Sequence, residues 1–356
     1  MADSDILEVG ANNKRIDSVS VVVLAYGDEP ILGDCVQAIL ASRNVNIELI
    51  VVDNGSGSIS SLSSDPRLQV VSPGFNTGFA GGCNFGVRET SSSLLVFVNS
   101  DLIVDADAIH LLASRLRDET IGLVTGAVLL PGTPTKVNSI GNPIHYLMFS
   151  WAGAYGEEFE KHKNDEKVAG ISGALFACTS AHWKFLGGFD EEYFAYAEDA
   201  DISLRTWQAG LRVVFEPLAT GEHHYEFSRR SEKWFWLERN RQICFLTFYS
   251  TSMTFLLLPI FVIVDLGVFY SAMRAGWWRQ KLQAWRWIVS HRSYLQQRRR
   301  RIHDAKTPGS HWQDVLSATI DIPAEFDLRV PKFVNGVLRS YWSFVQLITR
   351  RDSQSS

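Results

Sequence analysis

Three apolar runs constrain the fold of this chain most strongly. They are VSVVVLAY (Val19–Tyr26), IELIVVD (Ile47–Asp53) and LLVFV (Leu94–Val98). Short runs this rich in Val, Ile, Leu and Phe, bounded by turn residues, read as strands buried on both faces. Between the first two, Ile31, Leu32, Cys35, Ile39 and Leu40 recur at near-helical spacing. LQVVS (68–72) and IGLVTGAVLL (121–130) read as further strands. GFAGGCNFGVRET and ADAIHLLASRLRD read as helices, the second with Asp105 as its N-cap. Strands buried on both faces and alternating with helices imply an α/β fold, with a mostly parallel central sheet between two helix layers.

In such sheets ligands bind beyond the carboxyl ends of the strands. Three strands end in polar, acidic punctuation: Tyr26-Gly27-Asp28-Glu29, Asp53-Asn54-Gly55-Ser56 and Asn99-Ser100-Asp101. Each is a plausible turn, because Asn, Ser and Asp bond their own backbone. Three together on one edge also describe a binding site. Asp53 is placed either to accept from the N3–H of a uracil or thymine ring or to cap the turn DNGSG. Asp101 offers a single carboxylate of the kind a hard divalent cation uses when it also bridges diphosphate oxygens.

GFNTGFAGGCNFG (Gly74–Gly86) holds five glycines and two asparagines at the start of a helix. Backbone N–H groups there suit phosphate oxygens. The run does not follow the first strand, so it is not a dinucleotide fingerprint, and nicotinamide binding is disfavoured. GGFDEEYFAYAEDADISLR (Gly187–Arg205) is the most specific stretch. Glu198, Asp199 and Asp201 crowd a helix start, where the helix dipole favours negative charge. Asp201 and Arg205 have the spacing of a pair on one helix face. Glu198 and Asp199 stand beside Tyr193, Phe194 and Tyr196, as in a sugar-binding wall, and either acid suits a general base. His223 and His224 follow, as structural histidines or as metal or diphosphate contacts. Arg229 and Arg230 are either phosphate contacts or solvated.

A formal net charge of -5 over 356 residues disfavours a broad nucleic-acid-binding surface and leaves a local basic patch open. Cys35, Cys83, Cys178 and Cys244 are far apart and read as reduced core thiols of a cytoplasmic protein. The polar start MADSDILEVGANNKRID lacks the apolar stretch of a signal peptide. Ile243–Val264 carries no charge and is long enough, at about 1.5 Å per residue, to cross a bilayer core of roughly 30 Å. Basic residues flank both of its ends, and Pro259 and Asp265 sit awkwardly in a single span. The expectation is a re-entrant or interfacial helical hairpin on the cytoplasmic face of the membrane. Trp277, Trp278, Trp285 and Trp287 would then lie at headgroup depth. A buried helix pair that caps the preceding domain or forms a dimer is the alternative. The divisions expected are a tail (1–17), a catalytic domain (18–242), an apolar and basic helical region (243–350) and a second tail (351–356).

VSVVVLAY, IELIVVDNGS, NTGFAGGCNFG, FVNSD, GGFDEEYFAYAEDADISLR and HHYEFS, in this order, resemble the family 2 glycosyltransferases. The likeness covers Val19 to Arg241 and is to the rhamnosyltransferase-like branch with the GT-A fold. It implies an inverting hexosyltransferase that uses a dTDP- or UDP-sugar with Mg2+ or Mn2+. Under that resemblance Tyr26 and Asp53 contact the base. Asn76, Gly81, Asn84 and Ser100 line the nucleotide-sugar pocket. Asp101 and His224 (or His223) hold the metal. Asp199, with Glu198 beside it, acts as catalytic base. Two residues depart from the family pattern: Gly27 follows Tyr26 in place of Asn, and Ser100 precedes Asp101 in place of Pro or Asp. The implied acceptor is a glycan or oligosaccharide carried on a polyprenyl diphosphate, in cell-surface polysaccharide or cell-wall synthesis, with rhamnose the leading donor sugar. A homo-oligomer through the C-terminal helices is a further expectation. Two rival readings are a non-catalytic membrane-associated protein that binds sugar nucleotides or glycans, and a glycoside hydrolase with Glu198 and Asp199 as its acids. Adjacent acids seldom flank a bond as hydrolysis requires.

Overall fold

The computed structural model describes residues 16–164, 167–224, 232–310, 312–322 and 330–354. In chain order the elements are β1 (Ile16–Gly27), α1 (Leu32–Leu40), β2 (Val45–Ser56), β3 (Leu68–Val71), α2 (Gly78–Arg88), β4 (Leu94–Asn99), β5 (Leu102–Val104), α3 (Ala108–Arg115), β6 (Ile121–Leu130), β7 (Thr133–Ser139), β8 (Leu175–Thr179), α4 (Ser180–Leu186), α5 (Glu198–Gln208) and β9 (Arg212–His223). Five helices follow: α6 (Glu232–Phe248), α7 (Thr251–Ala275), α8 (Trp278–Ser290), α9 (Arg292–Asp304) and α10 (Lys332–Gln354).

The strands form one sheet in the order β3-β2-β1-β4-β8-β6-β9-β5, with β7 beside β6. The β3-β2-β1-β4 half is parallel throughout. Beyond it, β8 runs antiparallel to both β4 and β6, and β5 and β7 are antiparallel additions, while β6 and β9 are parallel. The α/β class holds, but the sheet is mixed rather than mostly parallel. The described residues of 131–174 contribute a strand, a short 3-10 turn and loops but no α-helix, so β8 enters the sheet without the helical crossover that a parallel neighbour requires.

Alternating side chains of β1 explain the two layers. Val19, Val21, Val23 and Ala25 face Cys35, Val36 and Ile39 of α1 and Ile109 and Leu112 of α3 in one core. Val22 points the other way, into a core with Ile50, Val52, Leu95, Phe97, Ala80, Cys83, Trp183 and Ile202. Glycine is needed in α2 for this second core: a Cβ on Gly82 would stand 2.2 Å from Leu24 Cδ1. All four cysteines are buried and free. Asp105 does not cap α3. The residue before the helix is Asp107, which pairs with Arg43, and the Asp105 carboxylate accepts from the Thr220 hydroxyl of β9.

The third core belongs to the helical region. Ile243, Phe245, Phe248, Leu257, Phe261, Trp342 and Val345 pack there with Tyr146, Leu147 and Met148. The boundary expected at 242/243 falls inside α6, and Ile243–Val264 is divided between α6 and α7 by a break at Tyr249–Ser250. By length and composition α7 could cross a membrane. Its inner face nevertheless lies on protein. Asp265 accepts from Arg241, from Lys281 Nζ at 2.6 Å and from Trp285 Nε1 at 2.6 Å, and Glu238 completes the buried cluster with Arg241 and Lys281. Two of the four tryptophans expected at headgroup depth therefore turn inward. Trp277 is buried against Trp234, with ring centroids 4.7 Å apart, and Trp285 serves Asp265. Trp287 is half-buried against Arg239 and His291, while Trp278 remains exposed. Arg229 and Arg230, and the tail before residue 16, lie outside the described residues.

Two buried histidines set an acid limit on stability. His182 Nε2 lies 2.9 Å from Thr206 Oγ1, whose hydrogen goes to Ile202 O, so His182 is the donor and is complete without a second proton. Burial lowers its pKa from 6.5 to about 4, and burial lowers that of His145 to about 3. Both folded values lie below the unfolded one. Their contribution is therefore present above pH 6.5 and is lost as pH falls from 6.5 towards 4 and 3. The unfolding free energy from urea titrations should drop across this range with a slope of up to about 1.4 kcal/mol per pH unit for each histidine. His182→Gln should flatten that slope.

Candidate active site

The three acidic strand ends lie side by side. In the β2-β1-β4 register, Ala25 is opposite Asp53 and Leu24 opposite Asn99. Tyr26 is exposed at this edge. Asp53 Oδ1 accepts from Gly55 N at 3.1 Å and Ser56 N at 2.9 Å, which caps the turn. Asn54, which the sequence reading did not single out, is the buried centre of the edge. Its Oδ1 accepts from Thr77 N (2.8 Å) and Thr77 Oγ1 (3.0 Å), and its Nδ2 donates to Asn76 Oδ1 (3.0 Å) and Gly78 O (3.2 Å). Asn76 also accepts from Gly78 N, so it shapes the glycine-rich turn that opens α2. Gly81 lies in the first turns of α2, where a Cβ would stand 2.9 Å from Thr77 Cβ. Asn84 grips the later GGFDEE loop: it donates to Phe189 O at 2.9 Å and accepts from Phe189 N at 3.0 Å.

Ser100 and Asp101 form the link from β4, in the middle of the sheet, to β5 at its far side. The antiparallel β5–β9 register sets Leu102 opposite His223. This brings His223 Nε2 to 2.9 Å from Asp101 Oδ1. Successive strand residues point to opposite faces, so His224 turns away: its side chain is exposed, and only its backbone N–H meets Asp101 O, at 2.8 Å. Of the two histidines, His223 is the one beside the Asp101 carboxylate. Asn99 and Asn138 stand 3.5 and 3.4 Å from its ring nitrogens. Glu29 belongs to the same group. Burial, then Asp101, push its carboxyl up to about 7, and His223 opposes the shift.

Asn99 N bonds Ala174 O at 3.0 Å, which ties this edge to the segment before β8. There Gly173 lies against Asp199, at the first turn of α5. Asp199 is partly exposed. Its Oδ1 accepts from Ala200 N (2.7 Å) and its Oδ2 from Asn142 Nδ2 (2.8 Å). Glu198 is buried, and its Oε2 has no partner among the described residues. Burial raises both carboxyls, and Asp199 raises Glu198 further. Hydrogen bonds from Ala200, Asn142 and Gly173 oppose the rise at Asp199. Asn142 was missed because nothing in SIGNPIHY marks it, and its contact spans 57 residues.

Asp201 is structural. It pairs with Arg205, as the spacing suggests, and with Arg298 from α9. Tyr193 is no open sugar wall: it is fully buried, and its hydroxyl meets Asp201 Oδ1 at 3.4 Å. Phe194 is half-buried and stacks on Trp236, with centroids 4.7 Å apart.

Residues 20–182 match the family described as Glycosyl transferase family 2. The matched segment runs from β1 into α4. The chain is 25% identical over 227 residues to the O-antigen biosynthesis protein RfbC of Myxococcus xanthus, covering 59% of this chain and 18% of that protein. It is also 25% identical over 245 residues to "Probable glycosyltransferase YdaM" of Bacillus subtilis strain 168, covering 65% of this chain and 55% of that one. The chain thus spans less than two thirds of the length of either relative. A solved structure, the mannosyltransferase PcManGT from Pyrobaculum calidifontis in complex with GDP-Man and Mn2+, aligns at a TM-score of 0.48 and 15% identity over 81% of this chain and 85% of that one.

Asn54 should be the most sensitive residue of this sheet edge. Asn54→Ala leaves Thr77 N–H and Gly78 O without their partner. It should lower stability by about 1–3 kcal/mol, read from urea unfolding.

Proposed function

We propose that this protein is an inverting glycosyltransferase of GT-A type. In this reading it moves a sugar from a dTDP- or UDP-linked donor to a glycan acceptor in cell-surface polysaccharide synthesis. The observation that carries the reading is the pair of acidic centres, Asp101 with His223 after β4 and Asp199 with Glu198 at the start of α5, linked through the Asn99–Ala174 bond and the Gly173–Asp199 contact. The family match and the O-antigen relative support the reaction class and the process. Tyr26 and Asp53 would face the base, with the glycine-rich turn of α2 towards the donor. Rhamnose is the first sugar to test.

Among the described residues no three His, Cys, Asp or Glu side chains converge as a metal site. A carboxylate and an imidazole in contact still suit an ion that takes its other ligands from a diphosphate. Asp101 and His223 would hold Mg2+ or Mn2+, which when bound supplies positive charge against the leaving diphosphate. On the other side, Asp199 would take the proton of the acceptor hydroxyl. That oxygen forms the new bond to the anomeric carbon as the carbon–diphosphate bond breaks, and attack from the opposite face inverts configuration. Asn142 holds Asp199 in place by donating to Oδ2. Glu198, protonated behind it, adds no second negative charge.

The test is calorimetry with a panel of nucleotide sugars, with and without Mn2+, on wild type and Asp101→Ala. One donor should bind with metal dependence, and the affinity should fall at least about tenfold in Asp101→Ala. Binding that ignores both metal and mutation overturns the metal assignment, and no binding of any donor overturns the reading.

The acceptor we propose is lipid-carried, which fits the outer faces of the C-terminal helices. Phe255, Val262, Ile263, Leu266, Tyr270 and Met273 make an exposed apolar stripe on α7. Asp265 is the only acid between Thr251 and His303, and it is buried, whereas Arg274, Arg279, Arg286 and Arg292 are exposed. An apolar stripe with an unopposed cationic surround matches an anionic bilayer surface at the cytoplasmic face. Self-association through this same face would set arginine against arginine. The protein should sediment with phosphatidylglycerol vesicles and not with phosphatidylcholine vesicles. Ile263→Glu should abolish sedimentation, and sedimentation unaffected by lipid charge or by Ile263→Glu would overturn this assignment.

A further inference from the structure

We propose that Asn240 of α6 is a positioning residue for the Glu198–Asp199 pair, acting through the turn that precedes it. The inference rests on the glycosyltransferase reading of Asp199. Phe194, Tyr196 and Ala197 have φ of 60°, 70° and 64°. Three side-chain-bearing residues in the left-handed region within four positions persist only where the surroundings hold them. Ala197 is the last residue before α5, and its carbonyl accepts the helix bond from Asp201 N at 3.0 Å. The path of this turn therefore decides where α5 begins, and so where Asp199 stands relative to Asn142 and Gly173.

The turn is gripped from two sides. On the donor side, Ala80 N bonds Phe194 O at 3.1 Å, and Gly78 approaches so closely that a Cβ would stand 2.3 Å from the same oxygen. On the other side is Asn240, fully buried. Its Nδ2 lies 3.0, 2.9 and 2.7 Å from the carbonyl oxygens of Tyr193, Ala195 and Tyr196. Its Oδ1 accepts from Arg239 Nε at 2.9 Å and Nη2 at 2.7 Å. Arg239 Nη2 also donates to Tyr193 O at 3.0 Å and to Glu192 O, and its guanidinium lies over Trp236 and Trp287. Only one orientation of the carboxamide satisfies this setting, because a flip would aim Oδ1 at three carbonyl oxygens. One side chain thus binds the carbonyls of the turn that joins the glycine-rich loop to the acid pair.

Asn240→Asp is the informative variant. It keeps the size and the acceptor for Arg239 but removes both donors and faces the carbonyls with a carboxylate. Asn240→Ala, which leaves room for water, replaces it if the first variant does not fold. With the donor identified by the calorimetric panel, kcat should fall at least about tenfold, with donor KM within about twofold of wild type. Amide hydrogen exchange over 194–201 should accelerate. Ala197→Gly relieves the left-handed strain without the clamp, so in the Asn240→Asp background it should restore at least about threefold of the lost kcat. A folded variant with native exchange across 194–201 overturns the clamp. Accelerated exchange with unchanged kcat overturns the positioning role. If wild type transfers no sugar from any donor, the glycosyltransferase reading fails, and the exchange measurement still decides whether Asn240 holds the turn.

Discussion

Four consecutive side chains in the middle of α6, Glu238, Arg239, Asn240 and Arg241, are all buried. A helix can bury such a run only if each side chain meets partners in its own direction, since an unpaired buried charge is far more costly than an exposed one. Here the directions divide. Glu238 and Arg241, three apart and so on one face, enter the cluster with Asp265 of α7 and Lys281 of α8. Arg239 and Asn240 turn to the 192–197 carbonyls. The sheet domain and the C-terminal helices are therefore joined by polar bonds through α6. Arg298 makes a second joint, from α9 to Asp190 and Asp201. What composition presents as a catalytic domain followed by an apolar appendage is continuous in space.

The parallel half of the sheet was legible because β1, β2 and β4 each carry at least four consecutive apolar residues, a signal that tertiary context seldom overrides. Their acidic ends on one edge followed from the same pattern. Strand β8 was not legible. LFACT carries no alternation, and its antiparallel place between β4 and β6 is decided by partners more than 40 residues away. At the site, residue types were easier to read than orientations. A histidine near Asp101 could be expected, but choosing His223 over His224 needs the register of a three-residue strand, and one step of register exchanges the two faces. Asp53 was expected to contact the base and Asn76 and Asn84 to line the donor pocket; the structure shows each of them bonded to backbone, a role that residue type alone does not announce. Asn142 and Asn240 left no local trace, because a lone asparagine has no periodicity and its value lies in which carbonyl or carboxylate the fold brings to it.

Hydropathy misleads in a related way at α7. A window average registers one charge in more than twenty residues and suggests a lipid span. The position of that charge carries more information: Asp265 faces inward with its ligands on α6 and α8, beside buried Leu257 and Phe261, while Phe255, Ile263 and Leu266 face outward. Arg298 is the mirror case. Within a run of four arginines it reads as one more solvated cation, yet it is buried between two aspartates. In both places the exception to the local composition fixes the element's orientation.

The cysteines bear on how the protein can be studied. Each of the four thiols is enclosed in a core, and burial pushes each one up, that of Cys244 to about 12. The folded chain offers no accessible thiolate. A single cysteine introduced at an exposed position, such as Phe255 on the α7 stripe or Tyr26 beside the sheet edge, would be the sole target for a maleimide dye. A fluorescent reporter of lipid contact or of nucleotide arrival can thus be installed with the native cysteines left in place.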